Sequence, residues 1–372
     1  MTEVQRIALF SPTAAIGGAE RNLLVMCQAF QDRGLSCVVV LPPQGVLVDA
    51  LTNLGIPMIF FPESELKAGQ IVRVIWNCLR LWIKLRRYRP QLLHANSIFC
   101  MYIPVILGTL TRLPSIVHWA DFDTRRGDTQ LVTVTAPRNH VIAVSQAIKT
   151  TLVDAGVPSA AITVIHNGSP PPTHDSATDR APVAAEFDIP ADRVWVGITG
   201  RIDTWKGHRY AIDAMALLTD IPVHLVILGG GNGKTPLYEA EIQNQVHALG
   251  LSDRVTFTGF QSDPSRVVRQ LDIVLCPSDY EPFGLVVTEA MAFAKPVIAT
   301  ETGGFLETVS PNETGLLIPP QSAAAIATAI RGLVDNPAKR LEMGRQGQLR
   351  YQSYFSVKPF IDSITHLYNQ LI

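Results

Sequence analysis

With 372 residues, the chain is longer than a single hydrophobic core normally supports, so two domains are expected. The composition, 47% hydrophobic and 17% charged, indicates a well-packed soluble protein. Five scattered cysteines without a C-x-x-C pair argue against a disulfide framework and a zinc site, and favour a reducing cytoplasmic setting. The net charge of −1 hides an asymmetry, because residues 1–170 carry 15 basic and 10 acidic side chains and residues 171–372 carry 16 and 22.

Short apolar segments alternate with helical patterns along the chain. The predicted strands are 6–10, 37–41, 58–61, 92–95, 115–118 and 140–144, followed by 194–199, 224–228, 255–258, 273–277 and 296–299. This repeat predicts an α/β protein with two doubly wound, parallel-sheet (Rossmann-like) domains facing a cleft. We expect domains at 1–172 and 183–355, an exposed linker over 169–182, and a C-terminal helix at 356–372 that crosses back to the first domain.

Two features near strand ends mark the first domain. Gly17 and Gly18 belong to a Gly-Gly-Ala-Glu turn that leads into a helix, and they could contact phosphate or acceptor; alone, the motif would indicate a tight turn. His118 ends a strand, where a structural and a functional histidine are about equally supported. The D-x-D tripeptide at 121–123 lacks further acidic or histidine ligands nearby, so we expect no metal site.

Residues 67–89 form a basic amphipathic segment that contains seven Lys or Arg side chains and no acidic one. Such a helix either covers the sheet at the surface or lies on an anionic membrane, and both interpretations stay open. Nucleic acid is a weaker partner, because no recognition motif accompanies the charge. The uncharged segment 91–111 could be read as a membrane span. His94, Asn96, Ser97 and Pro104 instead favour a strand followed by a buried helix.

Three loops of the second domain carry candidate ligand groups. Arg201 and Lys206 lie in the segment 200–208 and could hold a diphosphate, although a solvated loop is the alternative. Gly229 and Gly230 belong to a Gly-rich loop that a nucleotide could approach. Phe260, in a Thr-Gly-Phe segment, could pack against a nucleobase.

The segment 277–304 is the most specific. Glu281 and Glu289 are eight positions apart, and Pro282 suits the first turn of a helix, so the carboxylates would lie at two depths roughly 12 Å apart along it. Helix-end capping is the alternative for this pair. A predicted strand and a turn at Gly303-Gly304 follow, which favours a nucleotide-sugar site in an open α/β domain.

These motifs together resemble the retaining glycosyltransferases of family 4, which have the GT-B fold. The resemblance rests on GGAE, VIAVSQAIKTTL at 141–152, VIHNG at 164–168, GRIDTWKG, LGGG, TGF and EPFGLVVTE, and it covers most of the chain. It implies that Arg201 and Lys206 bind the diphosphate, Glu281 holds sugar hydroxyls, and Glu289 binds the ribose. It also implies that the amides of Phe283, Gly284 and Leu285 meet sugar and phosphate, and that His118 lies near the transferred sugar.

The resemblance further implies a metal-independent hexosyltransferase without a cofactor, since the nucleotide-diphosphate sugar is a co-substrate. A UDP-sugar is the favoured donor, with GDP- and ADP-sugars as alternatives, and the acceptor is a saccharide or a lipid. Two other functions stay open: a sugar-nucleotide epimerase or hydrolase of the same fold, and a non-catalytic sugar-nucleotide-binding protein. We expect a cytoplasmic location, with a peripheral position on the inner face of the cell membrane as a further candidate.

Overall fold

The computed structural model describes residues 3–61, 71–124, 129, 139–171, 179–230 and 235–372. The chain divides into two compact units, one made of Met1–Ser169 with Ser356–Ile372 and the other of Pro170–Phe355. Lys67 of the predicted basic segment, residues 172–178 of the predicted linker and 231–234 of the Gly-rich loop lie outside the described residues.

The first unit is built on a seven-stranded parallel sheet in the order β3-β2-β1-β4-β5-β6-β7. The strands are β1 (Arg6–Phe10), β2 (Ser36–Leu41), β3 (Met58–Phe60), β4 (Leu92–Ala95), β5 (Ser115–Trp119), β6 (Asn139–Ala143) and β7 (Ile162–Val164). Successive strands run outward from β1 in one direction and then from β4 in the other. The point between β1 and β4 is therefore a topological switch point, where open α/β sheets bind ligands.

Helices cover both faces of this sheet. They are α1 (Gly18–Asp32), α2 (Val46–Asn53), α3 (Ile71–Leu85), α4 (Tyr102–Thr111) and α5 (Gln146–Asp154). Because alternate strand residues point to opposite faces, Ile7 and Leu9 pack in a cluster with α1 and α2. Ala8 and Phe10 pack in a second cluster, with α3 and α4. The predicted burial of this sheet on both faces is confirmed.

The second unit has a six-stranded parallel sheet in the order β10-β9-β8-β11-β12-β13. Its strands are β8 (Val194–Thr199), β9 (Val223–Leu228), β10 (Val255–Gly259), β11 (Ile273–Cys276), β12 (Val297–Thr300) and β13 (Gly315–Ile318). Its helices are α6 (Ala181–Phe187), α7 (His208–Ala216), α8 (Pro236–Ala248), α9 (Ser265–Val268), α10 (Leu285–Ala292), α11 (Phe305–Thr308), α12 (Ala323–Val334) and α13 (Pro337–Arg350). The switch point of this sheet lies between β8 and β11.

The C-terminal helix α14 (Val357–Leu371) belongs to the first unit. Its Phe360, Ile364 and Tyr368 are buried in the same cluster as α1. The Asn369 side chain accepts the Val4 amide at 2.9 Å, and Arg33 pairs with Asp362 at 2.6 Å. The last helix is thus packed against the beginning of the chain.

Every predicted strand is present within one or two residues, and the predicted parallel arrangement is confirmed. Two strands were not predicted, β7 and β13, which are only three and four residues long. The linker prediction is wrong at both ends: Ser169 is buried, and Ala181 and Pro182 lie in α6 because Pro fits the first turn of a helix.

The segment 91–111 folds as the strand β4, a short turn and the helix α4, as the sequence predicts. Across the described ranges, no helix combines the length and the apolar character that crossing a bilayer requires.

Candidate functional site

Two predicted ligand groups meet at the switch point of the second unit. Lys206 follows β8, Glu281 follows β11, and these two strands are neighbours in the sheet. The Lys206 ammonium donates to Glu281 Oε2 at 2.7 Å, and only 17% and 14% of the two side chains are exposed. The fold therefore joins a cation and a carboxylate that are 75 positions apart in sequence.

The two loops that carry this pair are tightly packed on each other. Asp203 accepts the Thr204 amide at 2.8 Å and begins a short 3-10 turn, Thr204–Lys206. That turn ends at Gly207, which has a φ of 74° and where a Cβ would come within 2.0 Å of the Pro277 carbonyl oxygen. The Asp279 amide donates to the Trp205 carbonyl at 2.8 Å. Because only glycine fits at 207, the two loops can approach this closely, and Lys206 lies against the loop that carries Glu281.

Two stacked aromatic rings lie beside the Lys206–Glu281 pair. Trp205 stacks on Tyr280 with centroids 5.1 Å apart and planes 15° apart. The Lys206 ammonium lies 4.1 Å from the Trp205 ring centre, a distance at which the ring quadrupole attracts a cation. Sequence reasoning did not identify Trp205 or Tyr280, since they become neighbours only through the packing of the two loops.

The helix that carries Glu289 begins later than the sequence predicts. Pro282 is not in its first turn, because Gly284 adopts a φ of 92° and α10 begins at Leu285. A Cβ on Gly284 would come within 2.6 Å of the Phe305 ring. Glu289 is consequently the fifth helical residue, about 6 Å from the beginning of the helix along its axis. Phe283 is buried, and the first amides of α10 are those that have no acceptor within the helix itself.

The turn at Gly303-Gly304 supports this arrangement. The Gly304 amide donates to the Glu281 carbonyl at 2.8 Å, and a Cβ on Gly304 would lie 2.4 Å from the Phe283 Cα. The predicted turn at Gly303-Gly304 is present, and it leads into the short helix α11, which begins at Phe305.

Cys276, at the end of β11, is buried near the charged groups. Burial raises the pKa of its thiol to about 12; the Lys206 charge opposes this, while Glu281 and Glu289 add to it. Both carboxylates and the ammonium are therefore close enough to act electrostatically on the same buried thiol. This common neighbourhood supports grouping Glu281, Glu289 and Lys206 as one cluster.

Three glycines bring the ends of β8, β9 and β10 together. A Cβ on Gly229 would lie 2.0 Å from the Gly200 carbonyl oxygen, and the Gly229 amide donates to the Gly259 carbonyl at 3.1 Å. Next to them, Gly230 faces the Phe260 amide, and a Cβ on Gly230 would lie 3.7 Å from that nitrogen. Phe260 itself is 83% exposed, so its ring presents an apolar face to solvent at this edge.

Arg201 is arranged differently from Lys206. Its side chain is 53% exposed, and its guanidinium lies 4.0 Å from Asp203. An exposed pair at this distance contributes little to stability, which leaves the guanidinium available to an anionic ligand.

In the first unit, His118 lies inside a buried polar network. Its Nε2–H donates to Asn167 Oδ1 at 2.9 Å, and that oxygen also accepts the Asn22 amide group at 3.1 Å. Burial lowers the pKa of His118 to about 4, and the Asn167 hydrogen bond opposes the shift. Among the described residues, Nδ1 has no hydrogen-bond partner. Neutral His118 therefore keeps one nitrogen as an unused acceptor.

The neighbours of His118 hold its ring in place. The His94 ring stacks on it with centroids 5.6 Å apart, and Phe360 of α14 lies at 6.5 Å. His94 Nδ1 is hydrogen-bonded to the Tyr368 hydroxyl at 2.5 Å. Burial lowers the pKa of His94 well below its usual range, and a charge on His118 would lower it further.

The Gly17-Gly18 segment leads into α1, as predicted. Glu20 reaches back to accept the Gly17 amide at 3.0 Å, and burial raises the pKa of this carboxyl group. Gly17 is extended and Gly18 is the first helical residue. In the D-x-D tripeptide, Asp121 accepts the Asp123 amide at 2.9 Å and so stabilises its own turn.

Sequence comparison finds two family profiles that divide the chain. The profile of "Glycosyl transferases group 1" matches residues 179–350, and that of "Glycosyltransferase Family 4" matches residues 16–171. A lipopolysaccharide core biosynthesis mannosyltransferase (LpcC) from Rhizobium leguminosarum bv. viciae is 29% identical over 302 residues, 79% of this chain and 82% of that protein.

A D-inositol 3-phosphate glycosyltransferase from Arthrobacter sp. (strain FB24) is 34% identical over 176 residues, 46% of this chain and 41% of its own length. A similar enzyme from Corynebacterium glutamicum (strain R) aligns over 49% of its length, so the chain spans about half of these curated relatives.

Among solved structures, Anabaena Alr3699/HepE in complex with UDP superposes with a TM-score of 0.87 at 25% identity, over 99% of this chain and 100% of that one. Its complex with UDP-glucose gives a TM-score of 0.84 at 26% identity, over 98% and 99%. The two profiles, the two parallel sheets and this structural likeness agree: the chain belongs to glycosyltransferase family 4 and has the GT-B fold.

Proposed function

We propose that the protein transfers a hexose-type sugar from a nucleotide-diphosphate sugar, with UDP as the favoured nucleotide, to a hydroxyl group of a saccharide or lipid acceptor. The observation that carries this proposal is the Lys206–Glu281 pair at the switch point of the second sheet, beside the beginning of α10. An ammonium and a helix N-terminus attract phosphate, while a carboxylate accepts hydrogen bonds from sugar hydroxyls. The HepE complexes contain UDP and UDP-glucose, which supports a UDP-sugar donor.

The second unit would hold the donor. Arg201 and Lys206 would neutralise the diphosphate, and Glu281 would hold hydroxyl groups of the transferred sugar. The amides of Phe283, Gly284 and Leu285 would contact sugar and phosphate, and Glu289 would bind the ribose. Phe260 would stack on the nucleobase, with Gly229 and Gly230 allowing the nucleotide to approach the backbone.

The reaction we propose retains the anomeric configuration and requires no metal. The acceptor oxygen would attack the anomeric carbon from the face that the diphosphate leaves, and a phosphate oxygen would take the acceptor's proton. The products would be a glycoside and the nucleoside diphosphate. Lys206 and Arg201 would stabilise the charge that develops on the leaving phosphate, which is the largest contribution expected in such a transfer.

The first unit would supply the acceptor side, with Gly17 and Gly18 as contacts at the beginning of α1. His118, neutral at physiological pH, would accept a hydrogen bond from a substrate hydroxyl group through Nδ1. The helix α3 would rest on the cytoplasmic face of an anionic membrane, because Trp76, Leu79 and Ile83 are exposed on it next to Arg80 and Lys84.

The test is a donor screen with UDP-, GDP- and ADP-glucose against saccharide and lipid acceptors, with products detected by mass spectrometry and their anomeric configuration determined by proton NMR. A glycoside whose anomeric proton coupling matches that of the donor, formed equally well with EDTA present, is the expected result. Donor consumption without a glycoside would favour an epimerase or hydrolase instead. Tight UDP binding without any turnover would favour a sugar-nucleotide-binding protein.

A further inference from the structure

The first unit contains a pocket at the switch point of its own sheet. The pocket is formed where β1, β2, β3 and β4 end, by residues that include Phe10, Val40, Phe61, Phe99 and Ile103. Its cavity volume is about 40 Å³. Since one water-sized group needs roughly 10–15 Å³ by this measure, the pocket has room for roughly three groups of that size.

The wall of this pocket offers an apolar surface. None of its lining residues is charged. Its polar side chains are those of Ser11, Cys100 and Tyr102. The Ser11 hydroxyl donates to the Thr13 carbonyl at 2.9 Å, and the Cys100 thiol donates to the Ser97 carbonyl at 3.2 Å. Because the other lining residues are apolar, a hydrocarbon chain gains by burial against them and loses no hydrogen bonds on entering.

The surroundings of the pocket extend this apolar character. Phe99 is 57% exposed at the pocket. Helix α3 packs behind it, because Cys78, Leu81 and Leu85 share a hydrophobic cluster with Phe10 and Val40. A helix that follows β3 begins at the carboxyl edge of the sheet, so the exposed Trp76 lies nearer to the pocket edge than Ile83 does.

The basic side chains of the first unit indicate that an apolar ligand of this pocket also carries a negative charge. Arg80 is exposed on α3 one turn after Trp76, whereas Lys84, Arg86 and Arg87 lie further along the chain, towards the opposite edge of the sheet. Residues 1–170 carry an excess of five basic side chains, 15 against 10. A molecule with both an alkyl chain and an anionic head complements an apolar pocket in a basic domain.

We propose that this pocket binds the alkyl chain of a phosphate-bearing lipid, which makes the acceptor a lipid rather than a free saccharide. The assignment of this lipid as acceptor rests on the proposed transferase function. Binding of the chain itself does not, since it requires no donor and no turnover.

The experiment measures dissociation constants of inorganic phosphate and of ethyl, butyl, hexyl and octyl phosphate by ligand-observed NMR on the full chain, without donor. Burial of one methylene group corresponds to roughly a fourfold gain in affinity. We expect such a gain for about three successive methylene groups, followed by a plateau when the pocket is full.

Two variants test the location. Ile103→Trp fills the pocket, and Phe99→Asp places a charge at it, so both should abolish the chain-length dependence. Leu110→Asp is the matched control. Leu110 lies on α4, the helix that also carries Ile103, and it is 55% exposed, close to the 57% of Phe99. Thermal unfolding and UDP binding of the variants show that they are folded.

A wild-type protein without chain-length dependence would overturn the proposal, as would equal dependence in all three variants. The pocket could alternatively take an apolar side chain from a second copy of the protein. In that case alkyl phosphates would bind no better than phosphate, and Phe99→Asp would weaken a dimer seen by analytical ultracentrifugation. If the alkyl phosphates bind as expected but no sugar donor is turned over, the transferase function fails and the lipid pocket stands.

Discussion

The ammonium of Lys206 donates a hydrogen bond to the carboxylate of Glu281 at 2.7 Å. The sequence, however, predicts contacts of the two side chains with different parts of the donor, Lys206 with the diphosphate and Glu281 with the sugar. Both side chains are largely buried, so each partly neutralises the other before any ligand binds. A diphosphate that reaches Lys206 must share this cation with Glu281. Substitutions at the two positions should therefore affect nucleotide binding in opposite directions.

Lys206→Met should weaken UDP binding about tenfold and lower kcat/KM at least a hundredfold, because it removes the cation that we propose to stabilise the leaving phosphate. Glu281→Gln keeps the shape of the side chain but releases the ammonium. It should lower kcat/KM to a similar extent while UDP binds more tightly. Isothermal titration calorimetry with UDP and initial rates with UDP-glucose measure the two effects.

Arg266→Ala is the control for the loss of a cation in an ion pair, since Arg266 pairs with Glu186 at 2.7 Å on the exposed surface of the same unit. It should change neither UDP affinity nor rate. If Glu281→Gln weakened UDP binding as much as Lys206→Met, the two side chains would act jointly on the nucleotide, and the separate roles proposed for them would be wrong.

Phe260→Ala should raise the dissociation constant of UDP about tenfold, because stacking of a base on an aromatic ring contributes roughly 1–3 kcal/mol. Leu237→Ala is a close control: Leu237 is 86% exposed and Phe260 is 83% exposed in the same unit. The comparison by calorimetry separates base stacking from a general loss of surface apolar area. Equal affinities of the Phe260 and Leu237 variants would exclude Phe260 from the nucleotide site.

The sheet order explains how much of the candidate site could be predicted. Parallel strands place their carboxyl ends at one edge, so Lys206 after β8 and Glu281 after β11 could be expected in one region. Their direct bond could not, since it depends on how two loops pack through Gly207 and Pro277. The start of the helix after Pro282 could not be predicted either. The proline suits a first helical turn, but Gly284 has a φ of 92°, so α10 begins only after it.

Asn167 belongs to the VIHNG motif at 164–168 but was not identified as a site residue, for a different reason. It follows β7, a strand of three residues that has too little apolar periodicity to be predicted. Without β7, the residue after it could not be placed near β5 and His118. Because β7 can be recognised only from its pairing in the sheet, the sequence did not show that Asn167 is the hydrogen-bond partner of His118.

Asn167→Asp tests the protonation state proposed for His118. Burial holds the pKa of His118 at about 4, below its value in the unfolded chain, so the neutral ring is present above that pH. Protonation from pH 6.5 down to 4 favours the unfolded state, and stability therefore falls with pH over this window. An aspartate at 167 favours the charged ring and raises this pKa.

We expect the acidic limb of the kcat/KM profile of Asn167→Asp to move upward by at least about one pH unit, because a buried carboxylate beside the ring favours its charged form. His94, which stacks on His118, and Tyr368, which is hydrogen-bonded to His94, are not charged at neutral pH, so they do not mask the shift. Asn312→Asp adds the same charge at an exposed position of the other unit and should leave the profile unchanged. A profile for Asn167→Asp that coincides with that of the wild type would show that His118 need not be neutral.

Removal of the basic side chains of α3 and of the turn after it should release the protein from anionic vesicles. Each Lys or Arg near a membrane surface contributes about 1 kcal/mol, so the combined change of Arg80, Lys84, Arg86 and Arg87 to Gln should lower the partition coefficient at least a hundredfold. Sedimentation with vesicles of phosphatidylglycerol and phosphatidylcholine measures this coefficient. Because exposed charges are screened by salt, wild-type binding should also weaken between about 0.05 and about 0.5 M NaCl.

The apolar contribution is tested separately with Trp76→Ser, since Trp76 is 61% exposed on α3. It should weaken vesicle binding by about tenfold, because an indole ring buries apolar area at the membrane interface. Leu341→Ser is the control, as Leu341 is 73% exposed on α13, away from the basic segment. If the charge variant and Trp76→Ser sedimented with vesicles as the wild type does, α3 would be a helix that only covers the sheet, and any membrane contact would have to lie elsewhere.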